Sequence, residues 1–269
     1  MTILHAIQPL YVIAGFIVGA LVGITGVGGG ALMTPVLIFF GISPITAVAT
    51  DLLYASITKT GGTLIHGYNH TVDWRVVVRL ATGSIPGAAL TLFVLYELHI
   101  GGEATRDLVS TVLGVALLLT ALALLFRKPL TRYFVARVGE LEAELVRWLT
   151  IAAGALLGIL VSISSVGAGA IGVTILILLY PKMSTARIVG SDIAHSVPLT
   201  LAAGLGHGLL SMVNTGVSSI DGTLLVTLLI GSLPGIFVGS YLANRLPDSV
   251  VRLTLASVLL IVCAKLLLF

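Results

Sequence analysis

Two stretches of this chain decide how the rest is read: Gly23-Ile-Thr-Gly-Val-Gly-Gly-Gly30 and Ser162-Ile-Ser-Ser-Val-Gly-Ala-Gly169. Each lies inside an apolar run too long for one membrane crossing. Glycine costs about 1 kcal/mol in a helix interior, so four glycines among residues 26–30 predict a broken helix. Non-helical backbone is tolerated at membrane depth only inside protein or beside a water-filled cavity. The free amides that open the second short helix would face an anion favourably. The alternative is a close helix–helix crossing built on small residues.

Working outward, the same order of features recurs. Thr46-Ala47 matches Thr185-Ala186, Thr50-Asp51 matches Ser191-Asp192, and His66-Gly67 matches His207-Gly208. Asp73 matches Asp221, and Gly83-Ser-Ile-Pro-Gly87 matches Gly231-Ser-Leu-Pro-Gly235. The Asp-to-His spacing is the same in both halves, so the set marks a duplication. Each half reads as four segments. Segment A is the Gly-broken stretch, 10–41 and 148–180. Segments B (45–66, 187–210), C (74–97, 222–243) and D (106–126, 249–269) are each about the 20 residues needed to cross a bilayer.

Composition agrees. Of 269 residues, 57% are hydrophobic and 9% charged, with mean hydropathy +1.14. Soluble domains carry about 25% charged residues, so the bilayer must solvate much of this surface. The runs lack the strict alternation of barrel strands, and the expected class is an all-α polytopic membrane protein. A net charge of +3 is too small to argue for nucleic acid, and the lone Cys263 excludes an internal disulfide and a cysteine-built metal site. The N-terminus lacks the basic region of a signal peptide and reads as retained.

The expected domains are residues 1–126, a linker over 127–147, and 148–269. Phe134, Val138, Leu141, Leu145 and Trp148 form one apolar stripe in the linker, opposite Arg127, Lys128, Arg132, Arg137 and Arg147. That pattern predicts an amphipathic helix on the membrane surface, and its charges place it in the cytoplasm. Lys182, Arg187, Arg245, Arg252, Arg75 and Arg79 share that side if each A segment enters and returns on one side while B, C and D cross. The repeats would then be inverted, with both chain ends outside, a common plan of secondary transporters.

The candidate solute-binding residues are Lys59, Thr25, Gly28, Gly29, Gly30, Ser164, Ser165, Gly167, Gly169 and Thr200. Lys59 lies deep in a span, where a charge costs about 2.5–3.5 kcal/mol. Either Asp51 or Asp192 pairs with it, or it faces a solute anion. Its repeat partner is Thr200, so the halves are not equivalent. Asp51, Tyr54, His66, Asp192, His195 and His207 are candidates for gating or proton coupling. An acid in the first turns of a helix also satisfies amides and dipole, and a histidine near a span's end is often interfacial. Asp73 and Asp221 read as caps of the C helices, and the Ser-x-Pro-Gly pairs as kinks at helix crossings.

Gly23–Gly30 with Pro35, Thr50-Asp-Leu-Leu-Tyr54, Thr58-Lys59-Thr60 and Val72-Asp-Trp-Arg75 resemble the sulfite exporter TauE/SafE family. So do Gly190-Ser-Asp-Ile-Ala-His195, Val197-Pro-Leu-Thr200, Gly204-Leu-Gly-His207 and Gly231–Gly235 in the second half. The resemblance implies a multi-pass permease of the bacterial cytoplasmic (inner) membrane that carries sulfur-containing anions such as sulfite or organosulfonates. The second Gly run departs from the first, with Ser165 and Ala168 in place of Gly26 and Gly29. The leading expectation is a secondary transporter of a small sulfur-containing anion, with proton coupling left open, needing no cofactor. Competing readings are an anion channel and an intramembrane hydrolase using Ser164 or Ser165 with His195 or His207. No Gly-x-Ser-x-Gly surrounds those serines.

Overall fold

The computed structural model describes residues 8–25, 30–97, 110–126, 142–167, 169–243 and 248–268. Most of these residues are helical, with no strand among them. In chain order the helices are α1 (Pro9–Thr25), α2 (Gly30–Phe39), α3 (Pro44–Tyr68), α4 (Trp74–Glu97), α5 (Ser110–Phe126), α6 (Ala143–Ser164), α7 (Ala170–Leu179), α8 (Thr185–Thr215), α9 (Gly222–Ala243) and α10 (Asp248–Leu268). The second A segment is broken into α6 and α7, and the first is described as α1 and α2 on either side of residues 26–29. Gly28 and Gly29 lie outside the described residues. In the second break, Ser165 is left-handed at φ 58° and ends α6, while Gly167 and Gly169 sit at φ 123° and 131°. Those last two angles exclude an L side chain.

Helix starts follow local chemistry. Pro44 opens α3 behind Ser43, whose hydroxyl accepts from the Thr46 amide at 3.3 Å. The Asp73 carboxylate accepts from the Arg75 and Val76 amides at the start of α4, and Asp221 from that of Leu224 at the start of α9. α6 begins at Ala143, after Glu142, so residues 143–147 belong to the second half's first helix rather than to the linker. Residues 127–141, and the amphipathic helix expected there, lie outside the described residues.

The two halves exchange partners. Gly15 and Gly19 of α1 rest on the backbone carbonyls of Leu228 and Ser232 of α9, while Gly231, Gly235 and Gly239 rest on those of Val12, Phe16 and Ala20. The repeat-matched seam joins α6 to α4. Gly154 and Gly158 meet the Leu80 and Ser84 carbonyls, and Gly83 and Gly87 meet those of Ile151 and Ala155. A Cβ at these positions would overlap backbone, so small residues set the approach, as in membrane helix pairs. Residue numbers rise together along each seam, so the paired helices run parallel. The crossing of α3 with α8 is antiparallel. Gly62 meets Ile193, the Ser56 hydroxyl donates to the Val197 carbonyl at 3.4 Å, and Gly204 packs on Leu52 and Leu53. Two exchanged hydrogen bonds flank this crossing. The Asp73 amide donates to the Ser191 hydroxyl at 2.8 Å, and the repeat-matched Asp221 amide to the Thr50 hydroxyl at 3.2 Å.

Each A segment folds back on itself. The Tyr11 and Phe40 rings meet edge to face at 5.9 Å, and Thr150 and Tyr180 share a hydroxyl hydrogen bond at 2.8 Å. Arg79 donates to the Tyr180 hydroxyl, and Arg187 pairs with Asp73 at 3.2 Å. These contacts gather the starts of α4 and α6 and the α7–α8 turn at one end, with Arg75, Arg79, Arg147, Lys182 and Arg187. At the opposite end, the start of α1, the α2–α3 turn and the α8–α9 loop have no Lys or Arg among their described residues. By length and apolar composition, α4, α6, α8 and residues 222–239 of α9 can each cross a membrane. α3, at 25 residues, is long enough as well. It is less apolar because Asp51 and Lys59 turn into the protein.

Candidate functional site

The antiparallel crossing of α3 and α8 brings the two repeat-matched aspartates into the interior, where Asp51 is 0% and Asp192 1% exposed. Asp51 Oδ2 accepts from the Thr34 amide at 3.2 Å and its hydroxyl at 2.5 Å, tying α3 to α2. The Ser165 hydroxyl, from the second half's helix break, faces the same carboxylate. The Asp192 carboxylate rests against Gly172 in the first turn of α7, where a Cβ would displace it. Each aspartate thus looks at the short helix that follows its own half's break.

Lys59 is the charge common to both. It is buried on α3, and its ammonium interacts with Asp192 most strongly and with Asp51 next. The two readings that the sequence left open meet at one place, because the carboxylates that could pair with Lys59 line the same interior as the break. Thr200, its repeat partner, is buried and donates to the Ser196 carbonyl of its own helix at 2.9 Å.

A second exchange surrounds this cluster. His195 Nε2 and the Ser84 hydroxyl of α4 lie 2.7 Å apart, both fully buried. Their repeat counterparts are Tyr54 and Ser232 of α9, and the Tyr54 hydroxyl faces that serine without good bonding geometry. Among the described residues, six buried polar atoms lack a well-formed hydrogen bond: Asp51 Oδ1, Asp192 Oδ1, Tyr54 Oη, His195 Nδ1, Ser162 Oγ and Ser165 Oγ. A buried polar atom left unmade costs about 1–3 kcal/mol, and native proteins keep few. Here they are carried by α3, α8 and the end of α6 against which these pack. A polar solute held there would satisfy several of them together.

Other expected residues stand elsewhere. His66, at the far end of α3, is half-buried, with Nδ1 2.8 Å from the Thr71 hydroxyl and its ring against Gly190. His207 is buried, and its Nε2 meets the Ser162 carbonyl at 2.6 Å. These repeat partners therefore have different surroundings. Ser164 donates to the Leu160 carbonyl at 2.7 Å and accepts from the Val166 amide at 3.2 Å, so its hydroxyl finishes α6. Thr25 ends α1 and Gly30 opens α2, while Gly167 and Gly169 shape the turn into α7. Sequence reasoning missed Thr34 as an aspartate partner and read Ser84 and Ser232 only as parts of kinks. Their matched places in the duplicated Gly-Ser-x-Pro-Gly motifs were the available signal. Thr34 had none, since no repeat match singles it out.

The family model described as "Sulfite exporter TauE/SafE" matches residues 11–266. "Probable membrane transporter protein YjnA" of Bacillus subtilis is 38% identical over 95% of this chain and 98% of its own. "Probable membrane transporter protein YdhB" of the same organism is 25% identical over 90% and 93%. A similarly named protein of Methanocaldococcus jannaschii is 24% identical over 93% and 92%. No solved structure matches the chain.

Proposed function

This chain belongs to the sulfite exporter TauE/SafE family, and from that premise we propose that it is a secondary transporter of small sulfur-containing anions. The class includes sulfite, organosulfonates and related oxyanions, and the membrane is the bacterial cytoplasmic (inner) membrane. That the chain is a multi-pass membrane transporter follows from the family and the apolar helices. The single observation that carries the finer reading is Lys59, a buried ammonium between two buried carboxylates where the halves cross.

The anion sits against Lys59, with the hydroxyls of Ser165 and Tyr54 and the amides that open α7 as donors. The halves are inverted copies, a reading supported by the antiparallel contact of the matched helices α3 and α8. The end that gathers Arg75, Arg79, Arg147, Lys182 and Arg187 faces the cytoplasm, as the bias of membrane proteins toward cytoplasmic Lys and Arg requires. Alternating access then consists of one half rocking against the other about this crossing. The exchanged seams tie α1 to the second half and α6 to the first, so the moving bodies are not the two sequence halves taken whole.

Counterflow in liposomes tests the reading. Vesicles preloaded with sulfite, thiosulfate or an alkyl sulfonate take up the labelled anion transiently against its gradient if the protein is a carrier. A channel gives no counterflow, and an enzyme would alter the solute. Absence of counterflow for every sulfur anion would refute the proposal.

A further inference from the structure

The charges at the crossing of α3 and α8 do not balance, and the imbalance sets the form in which an anion can be carried. The inference rests on the site being an anion site. Charged groups buried in a membrane protein are tolerated when they compensate one another, because each isolated charge is expensive in a medium of low dielectric. The facing groups are few. On α3 they are Asp51, Tyr54 and Lys59, and on α8 Asp192 and His195. The elements packed against them contribute no further charge among the described residues: Thr34 from α2, Ser165 from the break, Gly172 from α7, Ser84 from α4 and Ser232 from α9. His195, whose Nε2 lies 2.7 Å from the Ser84 hydroxyl, is counted as neutral.

One ammonium against two carboxylates leaves one negative charge too many. The empty site is neutral when a single proton is shared by Asp51 and Asp192. A bound monoanion adds one negative charge, and neutrality then needs the second carboxylate protonated as well. Each carboxylate has an oxygen free to hold that proton, because Asp51 Oδ1 and Asp192 Oδ1 both lack a well-formed hydrogen bond. We propose that this protein carries monoanions only, each together with one proton taken up by the Asp51–Asp192 pair, so that transport moves no net charge. No bond is made or broken beyond the O–H that forms on binding and dissociates on release. A dianion would need a third proton, and the remaining acceptor, His195, stands beside Lys59. The site therefore prefers hydrogen sulfite and alkyl sulfonates to sulfate.

The test uses the full-length protein in liposomes, with methanesulfonate and, at mildly acid pH, hydrogen sulfite as probes. Membrane potential is clamped with potassium and valinomycin, and a trapped dye reports internal pH. The anion that gives counterflow should enter at a rate insensitive to the potential. A pH gradient of one unit, acid outside, should accumulate a sulfonate about tenfold. Sulfate should fail to compete. The double variant Asp51→Asn/Asp192→Asn leaves Lys59 alone to neutralise the anion and has no carboxylate to take up a proton. Retaining counterflow, it should lose the accumulation driven by the pH gradient, while either single variant keeps one acceptor and keeps the accumulation. Uptake driven by the potential in the unaltered protein, or competition by sulfate equal to that of a sulfonate, would overturn the proposal. Retained pH-driven accumulation in the double variant would overturn it too. Absence of counterflow for every sulfur anion would instead remove the transport reading beneath it.

Discussion

Replacing Lys59 with Met separates its two jobs. Fifteen residues of α3 precede it and nine follow, placing it about 22 Å and 14 Å along the helix from the two ends at 1.5 Å per residue. At that depth the ammonium costs about 2.5–3.5 kcal/mol unless it is compensated. Asp192 and Asp51 supply compensation in the empty protein, and breaking a buried pair from one side costs about 3–5 kcal/mol. Lys59→Met should therefore lower thermal stability. If the anion also bonds to the ammonium, it loses a hydrogen bond to a charged group, worth about 1.5–3 kcal/mol. Affinity then falls about 10- to 150-fold. The double variant Lys59→Met/Asp192→Asn removes the stranded charge along with the ammonium. It should recover most of the stability and none of the affinity. Calorimetric titration with the transported anion and a thermal shift, measured on one purified sample of each protein, decide the matter. A double variant that binds the anion like the unaltered protein would make Lys59 purely structural and refute the site.

The seams and the site give further expectations. Gly154→Ala drives a Cβ into the Leu80 carbonyl and should cost about 1–3 kcal/mol or block accumulation in the membrane. Gly61→Ala, where nothing lies within 4 Å, should be neutral or gain up to about 1 kcal/mol; thermal shift of both purified variants checks the contrast, and equal effects would reject the seam. Ser84→Ala takes away the partner of the buried His195 Nε2 and should cost about 1–3 kcal/mol by the same measurement. In a Cys263→Ala background, an impermeant thiol reagent added outside should label Ser218→Cys and leave Arg75→Cys untouched. The opposite pattern would reverse the assigned orientation.

What was legible in the sequence was whatever depends on covalent neighbours. The breaks in segment A, the caps at Asp73 and Asp221, and the spans themselves follow from glycine, capping chemistry and apolar length, which act within a few residues. The duplication was legible for the same reason, since it needs only order and spacing. The exchange between halves was not. That α1 packs on α9 and α6 on α4 depends on which small-residue faces meet, and Gly15, Gly19, Gly154 and Gly158 read in sequence only as weak points in helices. The site was half legible. Burial of a charge drew attention to Lys59, and the matched positions drew it to Asp51 and Asp192. Thr34, Ser84 and Ser232 reach their partners through tertiary packing, and hydroxyls in apolar helices are too common to stand out.

The duplication also explains why the centre can be asymmetric without losing its geometry. Each matched pair keeps its place while the chemistry differs. Tyr54 and His195 face Ser232 and Ser84, and Asp51 takes two bonds from Thr34 where Asp192 lies against Gly172. Lys59 stands opposite Thr200. A symmetric pair of lysines would place two cations beside two carboxylates and leave the empty site neutral with both acids ionised. An entering monoanion would then need its own proton, but the empty site would hold none to pass between the aspartates. Under the proposed coupling, a single lysine leaves one proton and two acceptors related by the repeat, each looking at its own half's short helix. The proton can then follow whichever carboxylate the solute approaches. The backbone repeat supplies two equivalent places, and in the proposed cycle the departure from the repeat at Lys59 makes the choice between them depend on whether an anion is bound.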